Sequence, residues 1–131
     1  MNRRTCLRTM IAAAAPAAAA AQTQAGKPIQ LHVDLAVDAA KEQEMLRTFR
    51  NTFRPAAAKQ PGFIDGKMLK LRSALQGKAP AGANYRFELT FQTEELRQKW
   101  VASDIHKKVW PMIEATLSSK DYTVLLYDDA A

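Results

Sequence analysis

Cysteine is almost missing from this chain: Cys6 is the only one in 131 residues. It lies near the start, so a chain trimmed of its N-terminus has no disulfide, no thiolate metal site and no cysteine nucleophile. Histidine is nearly as scarce, with His32 and His106 alone. Those two with Asp34 are the most that a two-His-one-carboxylate metal set would draw on, and their spacing gives no support for one. There is no Gly-rich phosphate loop, no G-x-S-x-G elbow and no H-E-x-x-H. Neither a metal nor a cofactor is therefore expected. After the N-terminal segment no run of about twenty apolar residues remains, which argues against a transmembrane helix and against stable membrane insertion.

Charge is present but diluted. Lys and Arg number 19 against 13 Asp and Glu, a net +6. Arg3, Arg4 and Arg8 account for half of the excess; without them 16 basic groups face 13 acidic ones, a net of +3. A spread-out +3 lacks the clustered basic face that a nucleic-acid footprint needs, so no nucleic-acid partner is expected.

Residues 1–21 have the three parts of a secretion signal. A basic start (Arg3, Arg4, Arg8) precedes an apolar stretch from Met10 to Ala20, and Ala19-Ala20-Ala21 supplies a small-residue cleavage site before Gln22. Arg3-Arg4-Thr5-Cys6-Leu7 resembles the twin-arginine motif of bacterial signals, with Cys6 where a large apolar residue usually stands. An ordinary Sec signal with an incidental arginine pair remains the alternative. A lipoprotein signal does not fit, because the apolar run follows Cys6 instead of preceding it. The expectation is a periplasmic or secreted bacterial protein, with a signal peptide at 1–21, a polar linker at 22–27 and one domain at 28–131.

The domain reads as strand, helix, strand, strand, helix, strand. Ile29, Leu31, Val33, Leu35 and Val37 alternate with polar residues, the period of a strand with one apolar face. Asp38 is placed to cap a helix on which Met45, Leu46, Phe49, Phe53 and Ala57 share a side. Pro55 predicts a kink there. Pro61-Gly62 ends the helix ahead of a strand at 63–72, and the Gly/Pro/Ala-rich residues 73–83 form a hairpin loop. Tyr85, Phe87, Leu89 and Phe91 alternate along a third strand. Thr93 caps a helix carrying Leu96 and Trp100, and Ser103 caps its continuation, on which Ile105, Val109, Met112, Ile113 and Leu117 are helically spaced. Trp110-Pro111 suggests a bend. Residues 122–127 form the last strand. This order predicts an α+β, ferredoxin-like βαββαβ antiparallel sheet with two helices on one face. Gln30, His32, Asp34, Arg86, Glu88, Thr123 and Tyr127 would line the other face, and a second sheet covering it would close a dimeric α/β barrel.

Several segments resemble the antibiotic biosynthesis monooxygenase family. They are Gln60-Pro61-Gly62-Phe63 after the first helix, Phe87-Glu88-Leu89-Thr90-Phe91 as third strand, Thr93-Glu94-Glu95-Leu96 opening the next helix, and Trp100-x-x-Ser103-x-x-His106-x-x-x-Trp110 along it. The likeness spans roughly residues 29–128. It implies a homodimeric barrel and, for some members, cofactor-independent oxygenation of aromatic or quinol-type substrates. The haem-degrading branch is not matched. The first strand has no asparagine, Phe91 stands where a tryptophan would be, and Trp110 stands in place of the iron-binding histidine.

Two functions follow as expectations. The first is an exported, cofactor-independent monooxygenase acting on a small aromatic or quinol substrate. The second is a non-catalytic periplasmic dimeric barrel that binds a small hydrophobic ligand. For the first, a histidine of near-neutral pKa is the natural base for a phenolic proton. His32 and His106 are the candidates, with Asp34, Arg86, Glu88, Phe91, Trp100 and Trp110 as candidate substrate contacts. Each has a structural alternative: His32, Asp34, Arg86 and Glu88 as a network closing the barrel, and the aromatic residues as plain core.

Overall fold

A computed structural model describes residues 27–131; the expected signal at 1–21 and all but Lys27 of the linker lie outside the described residues. Four strands, β1 (Ile29–Leu35), β2 (Phe63–Lys70), β3 (Tyr85–Phe91) and β4 (Thr123–Asp128), make one antiparallel sheet in the order β2-β3-β1-β4. Helices α1 (Glu42–Thr48), α2 (Arg54–Ala58), α3 (Glu94–Ala102) and α4 (Asp104–Glu114) fill the two connections that cross the sheet. The fold is the ferredoxin-like α+β arrangement.

Period-two alternation sets which face is covered. Ile29, Leu31, Val33, Leu35, Tyr85, Phe87, Leu89 and Phe91 are all buried in one core with Met45, Phe49, Phe53, Trp100, Val109 and Ile113 from the helices. Three of the helical starts are capped by the side chains that the sequence suggests. Asp38 accepts from the Ala40 backbone N–H at 2.9 Å and opens a short 3-10 turn (Ala39–Lys41) ahead of α1. Thr93 accepts from Leu96 N–H at 3.1 Å, and Ser103 from His106 N–H at 3.2 Å. The last two place Trp100 and His106 on consecutive helices on either side of the Ser103 corner.

Between α1 and α2 the chain makes a π-turn over Phe49–Phe53, with Arg54 N–H bonding Phe49 C=O five residues back. Pro55 follows directly. Its ring excludes a regular turn and its missing N–H removes a donor, and the wider turn accommodates both. Gly62 has φ +91°, and a Cβ there would lie 2.6 Å from Leu96 Cδ1 on α3. The Pro-Gly-Phe segment thus has a steric reason for its glycine: the backbone passes against a helix side chain in a conformation that L residues rarely adopt.

Three local expectations change. Strand β2 ends at Lys70, not Arg72, and its register shifts at Ile64. Ile105 and Met112, grouped by spacing with the inward residues of α4, are exposed, while Val109 and Ile113 are buried. Val37 leaves the strand and makes an isolated bridge to Leu117. Pro111 sits within α4, which continues to Glu114. No helix among the described residues is long and apolar enough to cross a membrane.

Candidate active site

The two histidines lie on opposite faces of the sheet. On the uncovered face, His32 pairs in register with Glu88, and Asp34 with Arg86. The Arg86 guanidinium donates to both Asp34 oxygens, at 2.9 and 3.3 Å, and Asp34 is buried beneath it. His32 Nε2 sits 3.2 Å from Gln30 Oε1 and 3.9 Å from Glu88 Oε2, with its ring 4.7 Å from that of Tyr127. Every polar group here already has a neighbour, and Leu69, Leu125 and Tyr127 stand exposed around them. An open crevice of about 560 Å³ continues from Asp34, Arg86 and Glu88 to the loop that joins β2 to β3.

On the covered face, between the sheet and α3–α4, lies a smaller cleft of about 200 Å³. Leu31, Val33, Phe87 and Leu89 form its sheet side; Phe53, Trp100 and Trp110 form its helix side. Val101 and Val124, both substantially exposed, border it toward solvent. Its polar residues are His106, Arg97 and Tyr122.

His106 is held by aromatic rings. Its own ring packs edge-on to Trp100 at 4.9 Å between centroids, and lies nearly parallel to Trp110 at 6.3 Å. Among the described residues its ring nitrogens make no hydrogen bond. Burial pushes its pKa below the ordinary value and the nearby Arg97 charge adds to this, with Glu114 opposing. Burial thus favours the neutral imidazole, with a lone pair to offer. Trp110 is fixed by a relay: its Nε1–H donates to the Tyr122 hydroxyl at 3.0 Å, and that hydroxyl donates to Glu114 at 2.7 Å. Burial, then the bond to Glu114, pushes the Tyr122 pKa up, so this phenol stays protonated. Arg97 lies along the cleft with Nε and Nη2 each 2.6 Å from a Glu94 oxygen. That pairing holds the Glu94 carboxyl below its usual range.

The structure thus brings His106, Trp100 and Trp110 together at one cleft and leaves the other candidates elsewhere. His32, Asp34, Arg86 and Glu88 are across the sheet. Phe91, expected as a wall, is fully buried beside Phe63 and does not reach the cleft. The reason is register: Phe91 opposes Ile29 at the far end of β3, whereas Phe87 opposes Val33 at its centre. Arg97, Tyr122 and Phe53 were not singled out from the sequence as site residues. Arg97 was findable, since it stands three residues before Trp100 and so shares its helical face. Tyr122 was not, because its place depends on where β4 meets α4. Among the described residues no three His, Cys, Asp or Glu side chains gather in a way that could hold a metal ion.

No family model matches the chain, and no curated protein sequence does. Solved structures match over most of the domain. Its structural neighbours are antibiotic biosynthesis monooxygenase-type and dimeric ferredoxin-like proteins. SnoaB, a cofactor-independent oxygenase from Streptomyces nogalater, superposes with a TM-score of 0.64 at 17% identity, covering 81% of this chain and 96% of that one. A Caulobacter crescentus protein proposed to be an antibiotic biosynthesis monooxygenase gives 0.66 at 13% identity, over 86% and 99%. A dimeric ferredoxin-like protein of unknown function from Jannaschia sp. gives 0.66 at 15% identity, over 78% and 99%. At such identities the likeness is one of fold.

Proposed function

We propose that the protein is an exported, homodimeric, cofactor-independent monooxygenase of the antibiotic biosynthesis monooxygenase type, acting on a small hydroxy-aromatic substrate in the α3–α4 cleft. One observation carries this: His106, buried in a way that favours the neutral imidazole and without a hydrogen-bond partner among the described residues, faces an aromatic-walled cleft. In the proposed reaction His106 takes the hydroxyl proton of the bound phenol or quinol, leaving an electron-rich anion. Oxygen adds at a ring carbon of that anion. The hydroperoxide then loses water as its carbon becomes a carbonyl. One oxygen atom ends on the ring and the other in water, and the substrate supplies both electrons. A phenol plus O₂ gives a quinone plus H₂O. The apolar walls exclude water, which strengthens the imidazolium–phenolate attraction once the proton has moved.

Dimerisation is supported by the uncovered face, where a polar centre (His32, Asp34, Arg86, Glu88) is flanked by exposed Leu69, Leu125 and Tyr127. The dimeric neighbour in the same fold adds to it. Export is supported by the Arg3-Arg4 start and the Ala19–Ala21 end of the N-terminal segment.

The test is oxygen uptake by purified protein with dihydroxy-aromatic substrates and no added metal or flavin, for wild type, His106→Ala and His32→Ala. Uptake by wild type and His32→Ala, lost in His106→Ala, is the expected result. No uptake by wild type with any such substrate replaces the oxygenase with the ligand-binding barrel.

A further inference from the structure

We infer that the α3–α4 cleft takes a single-ring phenol and no larger fused system, and that the Arg97 guanidinium holds the phenolic oxygen that His106 deprotonates. This rests on the cleft being the substrate site; it adds the substrate's size and charge, and a residue that positions it.

Size comes from volume and from what encloses it. An apolar cavity of about 150 Å³ takes benzene, whereas pockets for drug-sized ligands run to about 300–1,000 Å³. The cleft, at about 200 Å³, suits one substituted ring. Toward the core it has no slack to grow; its one open side is the solvent edge at Val101 and Val124. Phe53, Phe87, Leu89 and Trp100 are each no more than 3% exposed and packed against the rest of the core. With the hydroxyl held at His106 and Arg97, a second or third fused ring either displaces these residues, at the cost that overpacking a dense core carries, or is left outside in water.

Charge comes from Arg97. Its side chain is only 16% exposed, yet it borders an apolar cleft. The two bonds to Glu94 fix the plane of the guanidinium. A guanidinium has five N–H donors, and among the described residues the others have no acceptor. A partly desolvated cation with unmet donors is costly when the site is empty and is satisfied when an anionic oxygen arrives. The charges that act on His106 are Arg97 on α3, itself paired with Glu94, and Glu114 on α4, which accepts from Tyr122. Of these, Arg97 is the cation. Tyr122 spends its proton on Glu114, so it does not compete for that oxygen.

The probe is 4-nitrophenol, which is not oxidised readily and whose absorbance distinguishes phenol from phenolate. Binding is read anaerobically, by quenching of Trp100 and Trp110 fluorescence and by the absorbance of the bound probe. Wild type is expected to bind it as phenolate at a pH where most free probe is still protonated. Arg97→Gln should weaken binding about 10- to 100-fold, the usual worth of a hydrogen bond to a charged group, and abolish the absorbance shift. Arg97→Lys, which keeps the charge, should retain part of the shift. Nitrobenzene should bind wild type and Arg97→Gln alike, showing that the cleft is intact. A three-ring anthracenol should not quench. Unchanged 4-nitrophenol affinity in Arg97→Gln overturns the role of Arg97, and tight anthracenol binding overturns the size limit. If wild type binds 4-nitrophenol as described but oxidises no hydroxy-aromatic, the oxygenase reading fails while this inference stands; if it binds no phenol, this inference fails.

Discussion

The sheet has two working faces, and each carries one of the chain's two histidines under opposite conditions. His32 lies among Gln30, Glu88 and Tyr127, with Nε2 hydrogen-bonded to Gln30 and 3.9 Å from the Glu88 carboxylate. His106 lies among Trp100, Trp110 and Phe53, with its nitrogens unengaged among the described residues. A residue type that signals acid–base chemistry becomes a reagent where it is left unbonded in an apolar setting, and a structural strut where its neighbours use it up. The uncovered face has the ingredients of assembly; the cleft has those of chemistry.

Mutation separates the two most sharply through the histidines themselves. His106→Ala should lower turnover by about a hundred- to ten-thousand-fold, the usual contribution of one well-placed base, with the dimer retained on light scattering. His32→Ala should leave turnover within a few-fold. Equal losses in both would collapse the distinction. Trp100→Ala removes a side chain only 1% exposed from beneath the cleft and should lower unfolding stability by about 3–5 kcal/mol in a urea titration. Gly62→Ala, remote from both faces' chemistry, should cost about 1–3 kcal/mol through its positive φ and its collision with Leu96. On the other face, Glu88→Lys should weaken the dimer tenfold or more in sedimentation, while the exposed Glu44→Lys should change it little.

Proton binding gives the smallest effect and a clear sign. The folded-state pKa of His106 is lowered, chiefly by burial, so the unfolded chain takes up a proton first as pH falls. His106 therefore favours folding at neutral pH, and its share is lost as pH drops from about 6.5 through the lower folded-state value. His106→Phe should flatten that part of the stability–pH curve. The same shift puts the acid limb of kcat/KM below 6.5. A limb centred above 6.5 would point to a different base.

Much of this was readable in the residues. The alternation in β1 and β3 set both faces, so the grouping of His32, Asp34, Arg86 and Glu88 was visible without coordinates. The caps Asp38, Thr93 and Ser103 were equally plain, because capping is local. Failures arose where one element must meet another. Periodicity could not say that Ile105 and Met112 turn outward while Val109 and Ile113 turn in, since all four fall within one apolar stripe and only the docking of the helix decides which edge of it is covered. Nor could it say that Phe91 falls beyond the reach of α4, or that Tyr122 would fold back to hold Trp110. The residues alone left His32 and His106 as alternative bases; the two lie on opposite faces of the sheet, and only His106 borders the α3–α4 cleft.

The π-turn at Phe49–Phe53 has one more consequence. It acts as a slipped gear tooth in the first crossing: α1 and α2 are each regular, but one residue more than a helical turn needs lies between them, and Phe53 sits at the slip. Phe53 touches the rings of Phe87, Trp100, His106 and Trp110. Loss or gain of a single residue there would rotate this ring relative to α1 while every strand kept its register. Descendants of this chain thus have a way to reshape the cleft by in-frame indels in a helix that carries none of the proposed reacting groups.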